Sequence, residues 1–201
     1  MEQQTVQTPA QPKVYEEIFK SGLIVGLGMF VLGLALLFLM QIAESFWTMV
    51  IIFPLIFLII GPIVLSIFIL KNLRKNIGGY WTFKQALKSI FIVFFVGWLV
   101  SFGLNLLYTK VIDTTSTERM QEHIKEKTIL FMKNQNVDQD KLDQESAKMD
   151  EQFAKQNELT PQSVFKNITI GISIIFVFAL IFAAIFKKER PIRLDNFPTE
   201  A

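Results

Sequence analysis

The chain has 201 residues, with 20 basic and 18 acidic side chains, a formal net charge of +2 and no cysteine. The missing cysteine excludes disulfides, thiolate catalysis and Cys-ligated metals or clusters. The net charge as a total is uninformative, and no nucleic-acid partner is expected. Hydrophobic residues, 51% of the total, are gathered into four blocks that carry no charge: Ser21–Ala43, Ser45–Leu70, Ser89–Thr109 and Asn167–Phe186. Each reaches the roughly 20 residues that cover a ~30 Å hydrocarbon core as a helix. Apolar residues occupy every face of these blocks, as in helices solvated by lipid or by one another. The expected fold class is all-α: a polytopic membrane protein with four transmembrane helices and an extramembrane helical hairpin between helices 3 and 4.

Met1–Pro12 is polar, rich in Gln and Thr and interrupted by Pro9 and Pro12, so residues 1–13 are expected to form an unstructured tail. Val14–Lys20 starts a helix at the membrane surface, with Tyr15 at headgroup depth. The first block is too long for the core of a signal peptide, and Ala43-Glu44-Ser45 is a poor cleavage site, so the block reads as a retained span. Its Gly22, Gly26 and Gly33 fall near one helical face and read as a packing face inside the bundle rather than a dimerisation motif. Gln41–Phe46 is so short that spans one and two must run antiparallel.

The second span contains Pro54, Gly61 and Pro62. Proline removes an intrahelical hydrogen bond and clashes with the preceding turn, so kinks are expected near Pro54 and Pro62. Residues 71–88 form a basic loop, with Lys71, Arg74, Lys75, Lys84 and Lys88 and no acidic residue. These five side chains are the candidate contacts to anionic lipid headgroups. Ile77-Gly78-Gly79 reads as a turn, and Thr82 with Gln85 as a capping box that opens the next helix. Tyr80 and Trp81 read as interfacial anchors. Residues 14–109 thus hold transmembrane helices 1–3.

Residues 110–162 are the only substantial segment expected outside the membrane. Thr115 and Glu118 read as a second capping box, after which Met120, Ile124, Lys127 and Phe131 share a helical face. Asn134–Val137 breaks the pattern. Asp138 or Asp140 then caps a second helix on which Leu142, Met149 and Phe153 share a face. Thr160-Pro161 supplies an N-cap and first position for transmembrane helix 4, in residues 163–187. The tail that begins at Lys187-Lys188 and contains Pro191 and Pro198 is expected to lack structure.

With four spans, both termini share a side with the basic loop. Lys13, Lys20, Lys187, Lys188, Arg190 and Arg193 add to its charge, whereas Gln41–Phe46 carries no Lys or Arg. The positive-inside rule therefore places both termini in the cytoplasm and residues 110–162 outside it. Lys and Arg residues in that last segment pull the other way, but they are diluted over a length at which charge ceases to direct topology.

Chemistry is sparse. His123, the only histidine, sits between Glu122 and Glu126 and reads as a solvated surface residue without a second cluster to complete a metal site. Ser89, Ser101 and Ser173 have no histidine or lysine partner at a recognisable spacing, so no catalytic residue is assigned. No ionisable residue lies deep in a span, which argues against a proton-coupled carrier. Asn105, Ser66, Ser101 and Ser173 are the intramembrane polar candidates, with interhelical hydrogen bonding as their expected role. Asn167-Ile168-Thr169 is a sequon only by accident of composition at a membrane boundary. No cofactor or metal is expected.

The stretch Gly78-Gly79-Tyr80-Trp81-Thr82-Phe83-Lys84-Gln85-Ala86 resembles the signature "GG-x-x-(S/T)-F-K-x-A" of the domain of unknown function 4199 proteins. The likeness continues through Tyr108, Ile112-Asp113, Ala147–Gln152 and Lys187-Lys188, although Thr114 stands where the family often has proline. It covers about Val14 to Arg190. The resemblance implies a four-span protein of the bacterial inner membrane, mostly in Bacteroidota, and it carries over no catalytic residue. The expected function is non-enzymatic, with the extracytoplasmic hairpin binding an envelope protein or a second copy of the chain. The alternative is a small transporter or channel built on the proline-broken second span.

Overall fold

The computed structural model describes residues 11–157 and 160–189. Among these residues six α-helices follow in order: α1 (Gln11–Ile42), α2 (Gly61–Asn76), α3 (Phe83–Leu107), α4 (Ser116–Asn134), α5 (Gln139–Asn157) and α6 (Pro161–Phe186). Three π-helical stretches extend them: Thr48–Ile52 and Leu55–Ile60 ahead of α2, and Tyr108–Ile112 after α3. Among the described residues four continuous helical runs are long and apolar enough to cross a bilayer, namely Lys13–Ile42, Thr48–Asn76, Phe83–Ile112 and Ile168–Phe186. Helix α1 already begins at Gln11, so Gln11, Pro12 and Lys13 belong to a helix and not to the expected tail. Residues 1–10 of that tail lie outside the described residues.

The spans form a row rather than a closed square. Helix α1 packs most extensively on α3, α3 on α6, and α1 on its other side on α2. The α1–α3 contact is close because both helices lack side chains where they meet. A Cβ on Gly26 would stand 2.8 Å from the Gly97 carbonyl oxygen, and one on Gly22 would stand 2.8 Å from Val96 Cβ. Gly33 faces α3 further along, with Asn105 Nδ2 3.4 Å from its Cβ position. Gly28 serves the other neighbour, where a Cβ would strike Leu65.

Two separate apolar clusters hold the row. One, at the basic end of the bundle, joins Ile18, Leu70, Leu73, Trp81, Ala86, Ile90, Phe182 and Phe186. The second, at the far end, packs Met40, Ala43 and Met49 with Phe46, Phe53, Met120 and Ile124. Between them the second span is nearly bare: Leu58, Ile60 and Phe68 are exposed, Phe68 by 78%. Such a surface is stable only against hydrocarbon.

The turn at the basic end is explained by its glycines. Gly78 and Gly79 have φ of 106° and 79°, which side chains disfavour. Gly79 N–H donates to the Arg74 carbonyl at 2.8 Å and Gly78 N–H to Lys75 at 3.4 Å, closing α2 in a Schellman motif. Thr82 and Gln85 then form a capping box in both directions, at 3.4 and 3.2 Å. Trp81 departs from its expected interfacial role: it is 2% exposed. Its N–H donates to the Lys188 carbonyl at 2.8 Å, and Lys188 N–H returns a bond of 2.7 Å to the Trp81 carbonyl. The chain after α6 is therefore strapped to the α2–α3 turn through Lys188, contrary to the expectation of a loose tail there. Arg190 and everything beyond it lie outside the described residues.

Candidate functional site

At the far end, α4 lies against the last turns of α1 and the start of the second span. The Phe131 ring stacks on Phe46, with centroids 4.2 Å apart and planes 6° from parallel, and Trp47 meets Phe131 edge-on at 5.4 Å. His123 corrects the sequence reading: it is half-buried, and its Nε2 is 2.8 Å from the Ala43 carbonyl oxygen. A backbone carbonyl only accepts, so Nε2 carries the proton. The same ring is thereby spent on docking, and no group of three His, Asp or Glu side chains suited to a metal exists among the described residues.

The α3–α4 junction is tied by charge. Arg119 pairs with Asp113 at 2.5 Å, donates to Thr115 Oγ1, and donates through Nε to Gln41 Oε1 at 3.2 Å. The expected Thr115–Glu118 capping box does not form, because the Thr115 hydroxyl donates to Asp113 Oδ1 at 3.3 Å instead. Ser116, fully buried, donates to the Asp113 carbonyl at 2.7 Å. Burial pushes the Asp113 carboxyl up, but the hydrogen bonds and charge of Arg119, aided by Thr115, outweigh it and hold the group below its ordinary range.

Helix α5 is mounted on α4 and on little else. Lys125 donates to both carboxylate oxygens of Asp150, at 2.7 and 2.6 Å, and Leu142 is buried. The turn between the helices is a second Schellman motif with Asn136 at φ 56°. Val137 N–H reaches the Met132 carbonyl at 3.2 Å and Asn136 N–H reaches Lys133 at 3.0 Å. Asp138 sits at the α5 N-terminus, its carbonyl accepting from Lys141 and Leu142. The outward faces carry the short-range pairs Lys148–Glu145 and Lys155–Glu151.

Of the five basic-loop candidates, Lys71, Lys75 and Lys84 are exposed and without a hydrogen bond or ion pair among the described residues. Arg74 turns inward instead. It donates to the Phe186 carbonyl at 3.3 Å and lies over the Phe186 ring, 5.8 Å from its centroid. Lys88 donates to Tyr15 Oη at 3.1 Å, above the Tyr15 ring. Long cationic side chains that lay their stems on aromatic rings and keep the charge at the edge suit a membrane boundary.

Inside the row, the second span and α6 meet at the basic end through Arg74 and Phe186 but separate at mid-span. They leave a cavity of about 390 Å³, floored by Met29 and Gly33 of α1 and by Phe94, Trp98 and Ser101 of α3. The second span contributes Phe57, Pro62 and Ser66, and α6 contributes Ile175, Phe178 and Phe182. The prolines shape this wall. Around both, the hydrogen-bond ladder widens to i→i+5. Gly61 N–H reaches past Phe57 to the Ile56 carbonyl, and Pro62 has no N–H to give. The Phe57 carbonyl is left without a helix donor, and Met49 is left so by Pro54 in the same way, since Phe53 N–H bonds Thr48.

Asn105 stands beside Gly33, one turn from Ser101, and its carbonyl accepts from Thr109 Oγ1 at 2.9 Å. Ser173 does not bridge helices as expected: it donates to Thr169 within α6 at 2.9 Å. Sequence reading missed Gly28 and Gly97 as contact glycines, and Trp98 as a cavity wall. Gly97 sits in the middle of an unbroken apolar block and could have been found only by pairing it with Gly22 and Gly26.

These features define a polytopic α-helical membrane protein with a docked polar helix pair at one end and basic residues at the other. The family model described as "Protein of unknown function (DUF4199)" matches residues 20–188, and the chain belongs to that family. No curated protein and no solved structure matches it.

Proposed function

We propose that this is a non-enzymatic binding protein of a bacterial inner membrane, with both termini cytoplasmic and the α4–α5 hairpin presented outside as the surface for an envelope protein or a second copy of the chain. The observation that carries this reading is the unequal mounting of the hairpin. Helix α4 is fastened to α1 and the turn after it through Arg119–Gln41, His123–Ala43 and the Phe46–Phe131 stack, whereas α5 rests chiefly on α4 and offers its other faces to solvent. A binding element needs this combination of rigid base and free surface. The orientation is supported by the clustering of Lys71, Lys75 and Lys84 at the same end as Lys187 and Lys188. Deleting Thr117–Asn157 and crosslinking in vivo tests the reading: loss of specific crosslinked species is expected, and an unchanged profile counts against it.

A second reading, a small transporter or channel, is favoured by the widened ladder around Pro54 and Pro62 next to a mid-span cavity, because broken spans recur at transport sites. Flux through liposomes that survives Pro54→Ala, Pro62→Ala and Asn105→Leu together removes its basis; flux abolished by them supports it.

A further inference from the structure

The mid-span cavity has a chemistry of its own, independent of what the hairpin binds. Within its uncharged block Ser101 stands about two residues, ~3 Å, from the middle, and Ser66 lies five residues inside Lys71, ~7.5 Å along the helix from the basic end. Ser66 is 3% exposed and makes no side-chain hydrogen bond among the described residues; no fully enclosed side-chain polar atom there lacks a partner, so this hydroxyl opens onto the cavity it lines. The Phe57 carbonyl on the same wall has lost its helix donor to Pro62. Polar groups without partners are costly in hydrocarbon, and a saturated acyl chain leaves them so. Five aromatic rings, those of Phe57, Phe94, Trp98, Phe178 and Phe182, share the remaining lining with aliphatic side chains. Among the described residues no ionisable group lines the cavity, which argues against a charged ligand.

We infer that this cavity binds the ring of an isoprenoid quinone or quinol, with the prenyl tail leaving between the second span and α6. A flat ring stacks on the aromatic walls. Its carbonyl oxygens accept from the Ser66 and Ser101 hydroxyls, and in the reduced form its hydroxyls donate to the Phe57 carbonyl. Ordinary phospholipids keep their polar groups at the membrane surface, whereas a quinone carries them to this depth. The volume of about 390 Å³ falls within the range of small-ligand pockets. Leu58 and Ile174, both more than half exposed, flank the gap through which a tail reaches lipid. The inference is of binding alone, with no electron transfer.

The test uses the full chain in phosphatidylcholine nanodiscs, titrated with an azido-quinone carrying a short prenyl tail. After photolysis the labelled peptides are mapped. Saturable labelling within residues 57–66 and 94–101, competed by unlabelled quinone, is expected. The Ser66→Ala/Ser101→Ala double variant should bind at least fivefold more weakly, with its melting unchanged. Ser173→Ala, whose hydroxyl already serves Thr169, should bind as the parent does. Labelling that rises without a plateau, resists competition or spreads over lipid-facing Phe68 and Ile185 overturns the inference, and identifies the cavity as a slot for acyl chains. Should the double variant melt early, the map and competition on the parent chain decide alone.

Discussion

The rings of Phe46 and Phe131 lie flat on one another, 4.2 Å between centroids, although 85 positions separate them in the chain. This stack joins the loop between the first two spans to the far end of α4, and with His123 it determines where the soluble helix pair sits. Stacked rings contribute about 0.5–1.5 kcal/mol beyond the area they bury. Phe131→Ala removes that contribution together with the ring's partial burial and should loosen α4 by about 2 kcal/mol. Hydrogen exchange will show it as faster exchange across Gln121–Lys133, with the core of α3 unchanged. Uniform protection in the variant would mean that the stack does not hold the helix.

The α1–α3 contact has no room to spare. Gly26→Val places branched carbons where Val100 and the Gly97 carbonyl already stand, and overpacking of this kind costs about 1–3 kcal/mol. A lower melting temperature in detergent is expected. Gly103→Ala, whose Cβ meets nothing within 4 Å, should melt as the parent does.

The strap after α6 makes a separate prediction. Truncation after Phe186 removes both backbone bonds between Trp81 and Lys188 and the cation over Tyr80. Each lost bond is worth about 1 kcal/mol. Trp81 should become more exposed and its emission shift to the red. Emission that stays put would show that the apolar cluster alone buries this indole.

Acidification acts on the α3–α4 junction with a definite sign. The Asp113 carboxyl is held below its ordinary value, so its pairing with Arg119 stabilises the junction fully above the ordinary carboxylate range of about 4. That contribution is lost as pH falls through the lowered value. Protection at the junction should be flat from pH 7 to 5 and decline only in stronger acid, and Asp113→Asn should remove the decline.

Much of the membrane architecture could be read from residue order because lipid imposes a simple rule: a long uncharged block has no other home. The turn at Gly78-Gly79 and the Thr82–Gln85 box were legible for a local reason, since both are made by residues within a few positions of one another. What escaped was long-range. Trp81 looks like an interface residue until Lys188 arrives to cover it, and His123 looks solvated until the Ala43 carbonyl is placed beside it. The Thr115–Glu118 box had the right letters, but Asp113 and Arg119 compete for the same hydroxyl. The cavity was invisible because it depends on the gap between the second span and α6, which no spacing within either records.

The most direct test of the arrangement exploits the absence of cysteine from the chain. Ala147→Cys on α5 and Lys75→Cys beside the glycine turn give two single-thiol proteins, each treated with a membrane-impermeant maleimide before and after lysis of spheroplasts. Four spans with positive flanks inside predict labelling of Ala147→Cys in intact spheroplasts and of Lys75→Cys only once they are lysed. The reverse pattern, or equal labelling of both before lysis, would contradict the topology on which the whole account stands.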